Sequence, residues 1–436
     1  MKEAAVKQWP FFLSFLNWDK LMYKILFLAI IFCLSHTVHS QSDKQYVILI
    51  SLDGYRYDYT ERFEPKNIVN LIAEGVEASA LIPSFPTKTF PNHYTIATGL
   101  RPENHGLVNN TIYDSKMDAV YSIGDREAVE NPEWYGGTPI WVLAEQNRLI
   151  TASYFFVGTE APIQGIHPSY YYNYDAAVPN LARISKVFDW LSLPEEERPR
   201  LITLYFSDMD DVGHVYGPNN DEKLAVRLKK LDAELGALFE GISSFDLNIN
   251  IIIVSDHGMT DVKPENLINL DSILHDIPLK VVNNGALAHL YVEDKGSKGE
   301  ILKNLNSKAL NYKIVDVEDK TAYQNIESYR QRLGDLLILP ELGHYLVTTG
   351  GIVNYQKRAT LFKTDVFGEH GYDPEYEDMH GIFYAHGPAF KKGYKVNTVN
   401  NTDIFPLICQ ILELPIPSEI DGDLGRIQEV LNRGQR

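Results

Sequence analysis

Residues Gln45–Gly54 read QYVILISLDG, and within them four aliphatic residues, Val47–Ile50, run unbroken before the chain turns at Asp53-Gly54. A half-exposed strand alternates apolar and polar residues. This stretch is apolar on both faces, as in a strand buried inside a parallel sheet. Two later stretches repeat the design: LITLYFSD at Leu201–Asp208 and LNINIIIVSDHG at Leu247–Gly258. Each ends in a carboxylate. Between the first and second of these stretches, IWVLAEQN at Ile140–Asn147 reads as a helix and ITASYFFV at Ile150–Val157 as a strand. Leu224, Leu228, Leu231, Leu235 and Leu238 recur at helical spacing, a stripe that faces a core. Alternating strands and helices predict an α/β fold, a mostly parallel central sheet flanked by helices. In such sheets ligands collect at the C-terminal strand ends, where Asp53, the Asp208–Asp211 cluster and Asp256-His257 all fall. From about Pro278 to Lys363 the pattern changes to shorter strands and one helix, which predicts a small inserted cap of about 278–363. The stretch Asn401–Pro417 reads as a short helix closing the main domain.

The chain has 436 residues, 44% hydrophobic and 22% charged, with a formal net charge of −18. That balance excludes a general nucleic-acid binder but not an anionic substrate, because bound metal reverses a local field. Lys20 and Lys24 precede the apolar run Ile25–Leu34, and Val38-His39-Ser40 resembles a cleavage site before Gln41. Residues 1–40 are therefore expected to be a signal peptide, with Met22 as an alternative start and an uncleaved anchor as the rival reading. Residues 41–436 would be the catalytic domain. Only Cys33 and Cys409 exist, so leader removal leaves no internal disulfide. Export without disulfides points to a bacterial periplasmic or secreted protein.

The loop FPTKTFPNHYTIATG, Phe85–Gly99, carries two threonines around a lysine. A threonine hydroxyl needs activation to act as a nucleophile, and no Ser-His-Asp arrangement is apparent. Metal ligation removes that need. Asp210 and His214 lie four residues apart, the spacing that puts both on one helical face. Asp256-His257 follows a strand, and His370 sits among turn residues in GEHGYDP. With Asp53 these supply three aspartates and three histidines, a donor set suited to two Zn²⁺. Two such ions clamp both oxygens of a phosphoryl displacement.

The stretches SLDGYRYDY, FPTKTFPNHYTIATGLRPENHGLVNN, GTPIWVLAEQ, DMDDVGHVYGP, VSDHGM, HGYDP and GIFYAHGPAFK resemble, in order, those of the nucleotide pyrophosphatase/phosphodiesterase family of the alkaline phosphatase superfamily. The resemblance covers nearly the whole chain after the leader. It implies an alkaline-phosphatase-like core and a hydrolase that cleaves phosphodiester or pyrophosphate bonds of nucleotides such as ATP or dinucleotides. The product is a nucleoside 5′-monophosphate, formed through a phosphothreonine intermediate. It makes Thr89 the nucleophile and Thr87 a loop residue. One zinc site would be Asp53, Thr89, Asp256 and His257, the other Asp210, His214 and His370. Asn110 falls where the family hydrogen-bonds a phosphoryl oxygen. Phe90 and Tyr174 match an aromatic pair that sandwiches the base, and Phe156 a further aromatic position of that pocket. His93 and His105 are read as structural hydrogen-bonders.

The expected partner is a small nucleotide or phosphodiester; no stable nucleic-acid partner and no membrane span after leader removal are expected. Rival readings are a phosphomonoesterase of the same superfamily, a lysophospholipid phosphodiesterase, and a non-catalytic module. A monoesterase needs further positive groups, and the motif stretches offer only Arg56 and Arg101. Mass spectrometry of the protein purified from its native host is expected to find Gln41 at the N-terminus. An intact leader would support the anchor instead.

Overall fold

The computed structural model describes residues 44–320 and 322–432. The leader, with Cys33, lies outside the described residues. Eight strands form the central sheet: β1 (Gln45–Leu52), β2 (Val76–Ala78), β3 (Thr151–Tyr154), β4 (Tyr170–Tyr172), β5 (Leu201–Phe206), β6 (Asn248–Val254), β7 (Phe383–His386) and β8 (Tyr394–Val396). Their spatial order is β8-β2-β7-β6-β1-β5-β3-β4. β1 pairs in parallel with both β5 and β6, and only β7 runs against its neighbours. The sheet is therefore mostly parallel, with β1 near its middle.

Burial explains why β1 is apolar on both faces. Val47 and Leu49 join one cluster, with Ile96, Trp141 and Phe405. Ile48 and Ile50 join the other, with the leucine stripe. The first layer contains α1 (Thr89–Thr98); the second contains α2 (Asp208–Tyr216) and α3 (Asp221–Ser243). The five leucines of the α3 stripe are all buried. Each contributes about 1.5–3 kcal/mol by leaving water.

Residues 279–340 hold a separate four-stranded antiparallel sheet, ordered Leu279–Asn283, Ala288–Val292, Leu336–Pro340, Tyr312–Asp316, over its own apolar cluster. The segment expected to carry one helix carries three: Lys298–Ser307, Arg330–Leu333 and α4 (Thr349–Phe362). The first buries only Ile301 and Leu305, and α4 only Tyr355, so neither needs a long apolar stripe. Arg332 ties this segment to the core. Its Nε donates to Asp114 at 2.7 Å, and its Nη1 donates to the carbonyls of Gly106 and Trp134. Near the C-terminus, α5 (Ile404–Leu412) buries Cys409 against the first layer.

His289 shows how this packing responds to acid. Its Nδ1 donates to Leu333 O at 2.9 Å, and Asn109 donates to its Nε2 at 3.3 Å, so it is held neutral. Burial pushes its pKa from 6.5 down to about 4. The unfolded chain therefore takes up a proton first as pH falls, and stability is lost from about pH 6.5 towards pH 4. Urea midpoints measured across that window should fall. His289→Gln should flatten the slope, removing a contribution on the order of 3 kcal/mol.

Candidate active site

α1 begins at Thr89, with Lys88 as an extended N-cap residue. Pro91 is tolerated in the first turn, where no intrahelical N–H bond is lost. The first N–H groups of the helix face no preceding carbonyl. Phe90 N–H donates to Asn110 Oδ1 at 3.0 Å, which orients the Asn110 amide with Nδ2 as its remaining donor. Thr89 Oγ1 lies 3.3 Å from His257 Nε2. Thr87 is used differently. Its Oγ1 donates to Tyr372 O at 2.9 Å and accepts from Gly371 N–H at 3.0 Å. It fastens the loop to HGYDP, and its hydroxyl is consumed there.

The tips of β1, β5 and β6 converge beside Thr89. Asp210 N–H donates to Asp53 O at 3.0 Å. That approach needs glycine at Gly54, where φ is +64° and a Cβ would lie 2.8 Å from Asp210 Cα. Tyr205 O–H donates to Asp53 Oδ2 at 2.6 Å, and Gly54 N–H to Asp256 Oδ1 at 3.2 Å. His257 Nε2 is 3.1 Å from Asp256 Oδ2 and 3.5 Å from Asp53 Oδ1. On α2, His214 Nε2 is 3.3 Å from Asp210 Oδ1, as the four-residue spacing predicted. His370 Nε2 is 3.9 Å from the same oxygen. The rings of His257 and His370 stack at 3.5 Å between centroids.

All three imidazoles are anchored in the same way. Nδ1 of His214 meets Gly368 O at 2.7 Å, that of His257 meets Gly258 O at 2.8 Å, and that of His370 meets Thr87 O at 2.9 Å. A carbonyl only accepts, so each Nδ1 carries a proton and each Nε2 is the nitrogen presented to the carboxylates. Burial lowers the His214 pKa, but Asp210 outweighs it and pushes it up to about 9, so a cation at Nε2 would displace a proton there. Facing these imidazoles are Asp53 Oδ1, Asp210 Oδ1 and Asp256 Oδ2, buried oxygens with no hydrogen-bond partner. Burial, followed by repulsion from Asp256 and Asp210, pushes the Asp53 carboxyl well up. Burial, then His257 and Lys88, pushes His370 well down, into the neutral form that binds metal. Asp53, Asp210 and Asp256, with three imidazoles whose Nε2 atoms lie toward them, are a donor set that divalent cations complete. Asp53, His93 and Asp256 also cluster. However, His93 Nδ1 meets Thr89 O at 2.9 Å and its Nε2 meets Ser51 Oγ at 2.7 Å, so it braces the loop. His105 is likewise engaged through both nitrogens, with Thr95 and Leu107.

A cavity of about 270 Å³ opens from this cluster. Asp53, Thr89 and Asp210 form its polar end, and Phe90, Tyr174 and Phe155 line its sides. Phe156 also borders it but is only 1% exposed, with its ring packed edge-on against His93 and Trp141. The ring set against Tyr174 is Phe155, at 5.2 Å between centroids. Sequence reasoning missed Phe155; its positive φ of +70° turns the chain here, a property a phenylalanine does not advertise. Arg126 and Glu160 form an ion pair on the lining. Arg56 is instead paired with Asp58, and Arg101 with Gln324.

A family model described as Type I phosphodiesterase / nucleotide pyrophosphatase matches residues 47–373. The chain is 34% identical over 402 residues to a venom phosphodiesterase of Crotalus durissus collilineatus, covering 88% of this chain and 46% of that protein. It is 33% identical over 392 residues to human bis(5′-adenosyl)-triphosphatase, covering 88% and 82%. One solved structure is an inactive threonine-to-alanine variant of murine ectonucleotide pyrophosphatase/phosphodiesterase 5 in complex with AMP. It matches with a TM-score of 0.80 and 27% identity over 89% of this chain and 100% of that one. The chain spans about half the length of the venom enzymes. With an alkaline-phosphatase-like core and a family match across most of its length, the chain belongs to the type I phosphodiesterase / nucleotide pyrophosphatase family.

Proposed function

We propose that the protein hydrolyses nucleotides such as ATP or dinucleotides at the α-phosphorus, releasing a nucleoside 5′-monophosphate, with Thr89 as nucleophile. The observation that carries this reading is the set of three Nδ1-anchored imidazoles facing three unpartnered carboxylate oxygens beside Thr89 Oγ1. Two Zn²⁺, one held by Asp53, Thr89, Asp256 and His257 and one by Asp210, His214 and His370, would supply Lewis acidity and neutralise the phosphate. The rest is done by the chain. Thr89 Oγ1 attacks phosphorus, its proton passes to solvent, and the P–O bond to the leaving group breaks with its electrons. Water then attacks phosphorus, the Thr89 O–P bond breaks, and the hydroxyl regains a proton. The Thr89 N–H at the α1 N-terminus and Asn110 Nδ2 hold a non-bridging oxygen as charge develops there.

The cavity favours a nucleotide. Phe90 and Tyr174 offer rings to a base, and stacking tolerates any base. Human bis(5′-adenosyl)-triphosphatase and the AMP complex support the same substrate class. Neither Arg56 nor Arg101 lines the cavity, and Arg126 there is paired with Glu160, so among the described residues the lining holds no unpaired arginine for a monoester dianion. We also infer export, in keeping with the leader.

Thr89→Ala should lower kcat by at least about 10³-fold, within the range for loss of a catalytic nucleophile, with an unchanged melting temperature. Thr89→Ser should retain measurable turnover. Near-native rates for the alanine variant would remove Thr89 from the mechanism. Elemental analysis should find two zinc per chain, with Asp256→Asn and His257→Ala each losing one. Phe90→Ala and Tyr174→Ala should raise KM for ATP far more than for a small aryl phosphodiester. Equal losses on both, or faster hydrolysis of lysophosphatidylcholine than of ATP, would overturn the nucleotide assignment.

A further inference from the structure

Gly368, Glu369 and His370 are consecutive, and the outer two serve the Asp210 set. Gly368 O accepts from His214 Nδ1 at 2.7 Å, and His370 brings its own imidazole. Glu369 lies between them, 4% exposed, on the short strand Phe367–Glu369. Its carboxylate accepts from the Tyr355 hydroxyl of α4, and its Oε2 lies 3.7 Å from His214 Nδ1. That is beyond hydrogen-bond length, so its effect on the ring is electrostatic. The same helix grips both neighbours. Arg358 Nη2 donates to His214 O at 3.0 Å, while its guanidinium lies over the rings of Tyr355 and Phe367. Strand and helix meet closely because Gly368 has no side chain: a Cβ there would lie 2.4 Å from Gly213 O and 2.2 Å from Met259 Sδ.

Core packing has no use for a charge at this point, and a buried carboxylate is costly unless it is partnered. Glu369 is partnered by a tyrosine hydroxyl and stands behind an imidazole. Lys88 is the buried lysine nearby: its Nζ sits 5.5 Å from the centre of the Tyr345 ring, and burial lowers its pKa, with Glu369 the first of two charges that oppose the shift. A carboxylate behind the Nδ1–H edge of a histidine raises the donor strength of the opposite nitrogen and fixes the ring. We propose that Glu369, clamped by Tyr355, is a positioning residue for His214, through which the 278–363 segment strengthens cation binding at the Asp210 set. The proposal rests on the reading of that set as a cation site.

The test is zinc titration against a competing chromophoric chelator, on the full chain, for wild type, Glu369→Gln, Tyr355→Phe and His214→Ala. Glu369→Gln should weaken one of two zinc equivalents by about 10–100-fold, the range for loss of such an outer partner, and Tyr355→Phe should weaken the same equivalent by less. The other equivalent and the melting temperature of the zinc-free protein should hold. Two wild-type affinities in Glu369→Gln would overturn the proposal. So would a lower melting temperature with unchanged zinc affinity. If Glu369→Gln fails to fold by circular dichroism, Tyr355→Phe decides alone, and unchanged affinity there overturns the proposal. Retention of both equivalents in His214→Ala would overturn the cation-site reading instead, and the proposal with it.

Discussion

The structure depends on an unbalanced concentration of negative charge at a buried place. β1 is covered on both faces, so its C-terminal tip ends inside the molecule, and Asp53 goes with it. β6 and the start of α2 deliver Asp256 and Asp210 to the same point. One oxygen of each has no hydrogen-bond partner. Ionised carboxylates taken out of water are among the most expensive groups a fold can bury. Native proteins keep them only where cations meet them. The surrounding elements are arranged around that demand. Gly54 and Gly368 let backbones approach, three carbonyls fix three imidazoles with Nε2 inward, and His93 holds the loop from below.

This charge balance would reconcile an acidic chain with the proposed anionic substrate. A net charge of −18 repels phosphate at long range, but long-range fields are screened within about 10 Å at ordinary ionic strength. On the proposed reading, a phosphate would meet the local field of cations held by the carboxylates and imidazoles, and the N-terminus of α1, where N–H dipoles favour negative charge. The lining of the adjoining cavity combines Asp53, Thr89 and Asp210 with the rings of Phe90, Phe155 and Tyr174.

The central sheet and the core of the site were legible because both rest on strong local patterns. A strand covered on both faces must be continuously apolar, so β1, β5 and β6 announced themselves, each with an acid just beyond its end. Asp210 and His214 share a face of α2 because four residues make about one helical turn. Other features depend on contacts between distant segments and carry no local signal. Glu369 is one polar letter beside HGYDP; that it lies buried against Tyr355 is a property of packing. That Phe155 borders the cavity beside Tyr174, together with Phe156, turns on a single positive φ, at Phe155. The 278–363 segment holds three helices where one was expected because a helix half in water needs few apolar positions. Thr87 and Thr89 are equivalent in composition, and the hydrogen bonds to Tyr372 and Gly371 separate them.

The central claim is that Thr89 forms a covalent bond to phosphorus during turnover. Rapid acid quench of the enzyme mixed with α-³²P-labelled ATP, followed by peptide mapping, tests it most directly. The account predicts a nucleotidyl adduct that appears and decays at rates compatible with kcat, located on Thr89. Label on another residue, Thr87 included, or turnover of ATP with no adduct under conditions where attack precedes hydrolysis, would contradict it.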